Sequence, residues 1–215
     1  RIPFTSTLEA GWHSCNVICK HGDFHMISSG EILKPYLGKY GIISDIDDTF
    51  LISHSANIFK KLYVMLTQNI DGRKVFDEVP KHYQALSRAG QKNKHSFNSF
   101  FYVSSSEWNL YPFIVAIANK YKLPKAVIKL KKIKTGLGDF LFTGGGSQKD
   151  PYLYERICKI FPENIKAVYI RQTDKKPKTK VLTVVNNIAS LQVDFLYFQK
   201  SVDAIAHSKK IGIID

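Results

Sequence analysis

The sequence has 215 residues, of which 44% are hydrophobic and 23% are charged. This composition is ordinary for a globular protein with an apolar core, and it excludes disordered, collagen-like and coiled-coil chains. Lysine and arginine outnumber aspartate and glutamate by 31 to 18, so the formal net charge is +13. A charge of that sign favours anionic partners such as nucleic acid, phospholipid surfaces or phosphorylated substrates.

The length allows one domain, or one domain with part of a second. The longest purely apolar run, Phe113–Ala118, is far shorter than the ~20 residues of a membrane-spanning helix. Three cysteines cannot all pair with one another, which disfavours a disulfide scaffold and indicates a reducing, cytoplasmic location. The first residue is Arg1 rather than methionine, and residues 1–38 are interpreted as a small β segment, the end of a truncated β domain.

Residues 12–27 predict a strand, a turn and a second strand. Side chains alternate along 12–19, and the pair Gly22-Asp23 supplies turn chemistry before Phe24. The same segment contains a group of histidines and cysteines that invites a zinc hypothesis: His13, Cys15, Cys19, His21 and His25. Their spacing is not the paired pattern of structural zinc sites, so small apolar side chains on a strand are the favoured interpretation of the cysteines.

From Tyr40 onward, short apolar runs alternate with stretches of helical spacing. The predicted strands are 41–44, 100–103, 126–130 and 167–170. The predicted helices are 58–66, 110–121, 151–160 and a short helix that begins at Ser201 and ends before Gly212. This alternation predicts an α/β fold over residues 39–215, with a doubly wound parallel sheet covered by helices on both faces.

Three carboxylates in four residues follow the first of these strands, at Asp45, Asp47 and Asp48. Like charges repel, so such a cluster is better explained by a ligand than by a purely structural role. Open α/β sheets bind ligands at this end of their strands, and Mg²⁺ would neutralise the cluster while holding a phosphate oxygen. Asp45 could attack phosphorus while Asp47 handles the leaving group's proton. The alternative is an acidic turn that caps the next helix.

The run 42–49 resembles motif I of the haloacid dehalogenase-like phosphatases, a strand followed by D-x-D-x-T. The run 100–104 fits their second motif, a strand that ends in Ser or Thr. With its continuation through 105–111, it resembles specifically the catalytic domain of the actin-patch-associated phosphatidate phosphatase family. Residues 148–151 and 167–171 also resemble that family. The resemblance implies a Rossmann-like fold and a Mg²⁺-dependent phosphoric monoester hydrolase.

Carried over to this sequence, the resemblance assigns five roles. Asp45 would be the nucleophile that forms an aspartyl-phosphate, and Asp47 would act as general acid and then base. Thr49 would support the loop, while Ser104 and Ser105 would bind the phosphoryl oxygens.

The same resemblance implies a metal site. Asp45, Asp47 and Asp150 would hold Mg²⁺, and the substrate would be a phosphomonoester such as a lipid phosphate. Asp150 alone could also be explained as a helix N-cap before Pro151.

Two expected features of the family are missing: a third-motif lysine and a strand that ends in Gly-Asp. Either 140–144 is that strand, with Gly145 in the place of the aspartate, or about 30 residues, the size of a βα unit, are absent between Ser147 and Gln148. The second interpretation is favoured, because a parallel sheet needs a crossover after 126–130. It predicts that the two Cα atoms lie much farther apart than ~3.8 Å. A genuine deletion would severely impair catalysis.

Two function hypotheses therefore stand. The first is a Mg²⁺-dependent phosphatase acting on a lipid phosphate through an aspartyl-phosphate, peripheral at an anionic membrane. The alternative is a catalytically inactive module of the same fold that binds anionic lipid or another polyanion through its lysines. The densest basic stretch is 120–134, with a second at 175–180. Neither shows aromatic interleaving of the kind that stacks bases, so specific nucleic-acid binding is not expected.

Overall fold

A computed structural model of the chain describes residues 8–36, 40–46, 78–93, 95–131, 150–172 and 179–215. The strands are β1 (Gly11–His21), β2 (Phe24–Lys34), β3 (Gly41–Asp45), β4 (Ser99–Glu107), β5 (Ala126–Lys131), β6 (Ala167–Arg171) and β7 (Asp194–Phe198). The helices are α1 (Val79–Arg88), α2 (Tyr111–Lys120), α3 (Asp150–Ile160), α4 (Thr179–Ala189) and α5 (Ser201–Lys210). None of these helices has the length and apolar character needed to span a membrane.

Strands β1 and β2 form the predicted antiparallel hairpin, with a register that ends at the pair His21 and Phe24. Gly22 has φ +57° in the turn, a conformation that glycine adopts without steric cost. Near the base, the Lys125 ammonium lies 2.5 Å from a carboxylate oxygen of Glu31 and 4.7 Å from the centre of the Trp12 ring. The hairpin therefore contacts the residue that directly precedes β5.

Strands β3, β4 and β5 form a parallel sheet in that spatial order. Residues that pair in a parallel sheet project to the same face, so Ser44 lies beside Tyr102 on one face, next to Phe100 and Ile42. Phe100 and Tyr102 are 0% and 1% exposed, and they belong to one core cluster with side chains of α1 and α2. This buried face fixes the register of the three strands.

The C-terminal part of the chain contains a second parallel pair, β6 and β7, connected through α4. Its core combines Cys158 of α3 with Val168 of β6 and Ile188 of α4. Two residues that follow α5, Ile213 and Ile214, pack instead into the core cluster of the first sheet. The end of the chain thus contributes to both parts.

Helix α1 connects the two parts through a buried polar cluster. The Nε2 atom of His82 lies 2.9 Å from Oγ of Ser208 in α5, and the Tyr169 hydroxyl of β6 lies 2.8 Å from the same oxygen. Ser208 donates its own hydrogen to the Ala204 carbonyl at 2.8 Å. Its oxygen can therefore accept from His82, which requires the neutral imidazole to carry its hydrogen on Nε2.

Every predicted strand and helix that falls within the described residues is present. Three elements were not predicted: α1, α4 and β7. In α4 the buried positions are β-branched, Val181, Val184 and Ile188, and such residues are also typical of strands. The predicted helix 58–66, the segment 140–144 and the suspected break between Ser147 and Gln148 lie outside the described residues.

The structure confirms a mixed α/β fold with a parallel three-stranded sheet and a small antiparallel N-terminal sheet. The doubly wound arrangement predicted from the sequence is not established by these strands, which form separate sheets of three and two parallel strands in the described part of the chain. That arrangement and the boundary at residue 38 stay predictions.

We predict that His82 makes the stability of the fold depend on pH. Burial, helped by the positive charge of Arg171, lowers the pKa of His82 from 6.5 to about 4. Between these values the unfolded chain binds the proton and the folded protein does not, so the free energy of unfolding falls as the pH drops from about 6.5 to about 4. At 1.36 kcal/mol per pKa unit, the full loss is on the order of 3 kcal/mol.

Chemical denaturation at pH 4.5, 5.5 and 7 measures this slope. His82→Gln keeps a hydrogen-bond donor toward Ser208 without the titration, so we expect the slope to flatten. His95→Gln changes an exposed histidine and is the matched control. A slope that is unchanged in His82→Gln would show that other groups cause it.

Candidate functional site

The candidate site lies at the carboxyl-terminal edge of the parallel sheet, where β3 ends beside β4. The strand that the sequence predicts to end at Ser104 instead continues to Glu107, although its register with β5 shifts after Val103. Asp45, the last residue of β3, pairs with Val103, and Ser104 is the next residue of β4. The backbone N–H of Ile46 donates to the Val103 carbonyl at 3.2 Å, so the pairing continues one residue past the strand. The two predicted motifs, far apart in sequence, are therefore neighbours in the fold.

The two side chains differ in burial. Asp45 is half-buried, whereas Ser104 is 6% exposed. A partly exposed carboxylate at a strand end can be reached by a ligand. The Ser104 hydroxyl, one residue past the partner of Asp45, is a group that can donate to, or accept from, a ligand oxygen.

The remaining predicted site residues are only partly covered by the structure. Ser105 continues β4, and Asp150 is the first residue of α3, directly before Pro151. A helix that begins at Asp150 agrees with the predicted helix start and with proline in the first turn. Asp47 and Thr49 lie outside the described residues, so their predicted roles stay predictions.

Behind Asp45, a buried hydrogen-bond pair supports the end of β3. The hydroxyl oxygens of Ser44 and Tyr83 are 2.6 Å apart, and Ser44 Oγ donates to the Asp45 carbonyl at 2.8 Å. Burial raises the pKa of Tyr83 to about 12, so this phenol keeps its hydrogen at neutral pH. The sequence analysis missed Tyr83 because it did not predict α1. The one available signal was Ser44 itself, a hydroxyl inside an otherwise apolar strand.

The last residue of β6 is Arg171, just as the last residue of β3 is Asp45. The Arg171 guanidinium donates to the Gln199 carbonyl at 2.9 Å and to Ser201 Oγ at 2.7 Å, and it lies 4.7 Å from the Phe198 ring centre. Burial lowers the pKa of Arg171. Its positive charge helps to lower the pKa of His82 and partly opposes the rise in the pKa of Tyr83, which places it within electrostatic reach of α1.

Among the side chains that the structure describes, no group of three or more His, Cys, Asp or Glu residues is arranged to hold a metal ion. The histidines and cysteines of the hairpin do not come together, and Cys15 and Cys19 are free thiols, the first half-buried and the second exposed. The zinc hypothesis therefore gains no support. For Mg²⁺, Asp45 offers the carboxylate oxygen that this ion prefers.

Comparison with known proteins bears on residues 40–144. No curated protein and no solved structure matches the chain. The matched segment, just under half of the sequence, includes β3, α1, β4, α2 and β5 and therefore both sides of the candidate site. It ends before Asp150. The match confirms the predicted resemblance: residues 40–144 match the family described as phosphatidate phosphatase APP1, catalytic domain.

Proposed function

We propose that the chain is a Mg²⁺-dependent phosphatase of the haloacid dehalogenase type that hydrolyses a phosphomonoester, with a lipid phosphate as its substrate class. The family implies phosphatidate phosphatase-like activity, and the metal, the mechanism and the lipid are our proposals. The observation that supports them is the pairing of β3 with β4, which places Asp45 beside Val103, the residue before Ser104, within the matched segment.

In the proposed reaction, a carboxylate oxygen of Asp45 attacks phosphorus and the bond from phosphorus to the leaving alcohol oxygen breaks. Asp47 gives its proton to that oxygen, and Asp45 is left as an aspartyl-phosphate. Asp47, now ionised, takes a proton from water as the water attacks phosphorus. Inorganic phosphate leaves and the Asp45 carboxylate is restored.

The residues of β4 would bind and orient the phosphoryl group. Ser104 is buried in β4, one residue past the partner of Asp45, and we propose that its hydroxyl donates to a phosphoryl oxygen. Ser105 would add a second polar group from the same strand. Fixed donors of this kind cost little reorganisation during the reaction, which is why they stabilise developing charge well.

Mg²⁺ would be held by Asp45, Asp47 and Asp150. When bound, the ion would neutralise phosphate charge and act as a Lewis acid. Asp45 fits this role because it is an oxygen ligand at an accessible strand end, and Asp150 is placed at the start of α3.

The alternative function, a catalytically inactive module that binds anionic lipid, is favoured by the lysines and by the missing third-motif cation. Lys122, Lys125 and Lys129 are exposed around the start and body of β5. We propose that the basic stretch 120–134 attracts an anionic membrane in either case. The two functions then differ in catalysis and not in binding, and the protein would be cytoplasmic and peripheral at membranes.

The first functional prediction concerns the nucleophile. Asp45→Asn preserves the shape of the side chain and removes the attacking charge, so hydrolysis of p-nitrophenyl phosphate in the presence of Mg²⁺ should fall by roughly a thousandfold or more. Asp23→Asn removes an exposed carboxylate in the hairpin turn and should retain activity. Substantial turnover by Asp45→Asn would exclude the aspartyl-phosphate mechanism. An inactive wild type would favour the binding module.

The second functional prediction concerns the membrane. Each lysine near an anionic surface contributes about 1 kcal/mol, screened within a Debye length of ~8 Å at physiological salt. The protein should therefore bind vesicles containing phosphatidate or phosphatidylserine better than neutral vesicles, and less tightly as the salt concentration rises.

Co-sedimentation with vesicles measures this binding. Changing Lys129, Lys131 and Lys132 to glutamate should remove most of it. The same change at Lys166, Lys209 and Lys210 alters the net charge equally in the C-terminal part and is the matched control. Equal binding to neutral and anionic vesicles would show that the positive charge serves another partner.

A further inference from the structure

We infer that Tyr83 is a positioning residue for the reaction of Asp45, acting through Ser44 and the peptide unit that joins Asp45 to Ile46. This inference rests on the proposed function, because it assigns Tyr83 to the site at which Asp45 would act. Tyr83 would not touch the substrate. It would set the backbone from which the attacking carboxylate projects.

The hydrogen bonds form a directed chain. Ser44 has one hydroxyl hydrogen, and Oγ donates it to the Asp45 carbonyl at 2.8 Å. At 2.6 Å from the Tyr83 hydroxyl, Ser44 Oγ is then the acceptor and Tyr83 the donor. Because burial keeps the phenol protonated, this direction holds across the neutral pH range. The chain therefore runs from the Tyr83 hydroxyl to Ser44 and on to the Asp45 carbonyl.

The peptide unit after Asp45 is held at both of its polar ends. Its carbonyl, from Asp45, accepts from Ser44 Oγ, and its N–H, from Ile46, donates to the Val103 carbonyl at 3.2 Å. Ile46 is 1% exposed, so the segment is also fixed by packing. This peptide leads directly from the proposed nucleophile toward Asp47. Its orientation therefore bears on where the Asp45 carboxylate can point.

The position of Tyr83 in the core gives the chain a rigid anchor. Its ring is 7% exposed and lies 5.6 Å from the Phe100 ring centre and 6.4 Å from the Tyr102 ring centre. A helix of the core thus supports the strand end through one hydroxyl. Misplacement of a reacting group by about 1 Å can cost on the order of a hundredfold in rate, so loss of this support should slow catalysis.

The core also supplies a matched control. Tyr102 is 1% exposed, stacks near Tyr83 and belongs to the same cluster, but its hydroxyl donates to the Pro124 carbonyl at 2.9 Å, in the loop before β5. Tyr83→Phe and Tyr102→Phe each delete one buried phenol oxygen and keep the ring. Both should destabilise the fold to a similar extent, so any difference between them in catalysis reports on the Ser44 chain.

The test compares kcat and KM for p-nitrophenyl phosphate with Mg²⁺, together with the melting temperature. Tyr83→Phe should lower kcat by about tenfold with KM changed less than about twofold, and Tyr102→Phe should leave kcat unchanged. Ser44→Ala breaks the same chain at its middle link. The double variant with Tyr83→Phe should be no slower than either single variant, since one chain can be broken only once.

A second measurement does not depend on activity. Amide hydrogen exchange at Ile46 should become about tenfold faster in Tyr83→Phe and stay unchanged in Tyr102→Phe, because the peptide loses one of its two supports. Equal effects of the two phenylalanine variants on kcat, no effect of Tyr83→Phe, or unchanged exchange at Ile46 would each overturn the inference. An inactive wild type, or full activity of Asp45→Asn, would instead refute the proposed function, and the exchange data would still decide whether Tyr83 holds the peptide.

Discussion

The parallel pairing of β3 with β4 is the constraint on which the candidate site depends. The residues that set its register are not those of the site, because the large side chains Phe100 and Tyr102 must face the core. A slip of β4 by one residue would turn both rings toward the opposite face, and a slip of β3 would bring Ser44 out of the core. Apolar packing on one face thus determines which residues meet at the strand ends. In this way the packing of the hydrophobic core positions the polar residues of the site.

Helix α1 uses two consecutive residues for two different contacts. Successive residues of a helix project about 100° apart, so Tyr83 can face β3 and β4 while His82 faces Ser208 and Tyr169. Both side chains are buried and both carry hydrogen bonds, which is how polar groups are accommodated in a core. The end of β3 and the C-terminal part of the chain are therefore supported from the same turn of helix.

The charges of the protein fall into two groups with different physical roles. The lysines around β5 are exposed, where their charge acts at a distance and is screened by salt. Arg171 is half-buried and held by Gln199, Ser201 and the Phe198 ring. Its charge acts on buried neighbours, and it helps to keep His82 neutral. The net charge of +13 therefore indicates the long-range effect of the exposed lysines and not the local effect of Arg171.

The sequence by itself indicated the family, the turn and pairing of the hairpin, the parallel strands and the position of Asp45 at a strand end. It also predicted a strand that ends at Ser104, whereas β4 continues to Glu107. These features depend on local patterns: apolar runs, turn residues and a motif of neighbouring carboxylates. The sequence did not yield α1, although Val79, Tyr83 and Leu86 have helical spacing, because buried polar residues such as His82 and Ser87 interrupt the apolar pattern. Local spacing gives no information about the partners of such residues.

Only the tertiary structure decided which side chains stand behind the site. Ser44 and Tyr83 are 39 residues apart, and His82 and Ser208 are 126 apart, yet each pair is joined by a buried hydrogen bond. In neither pair does a sequence motif around one residue predict the other. A hydroxyl or imidazole that loses water on burial must find a partner wherever the packing brings one. The partner is determined by the packing of the folded core. The order of residues along the chain therefore specifies it only through the complete fold.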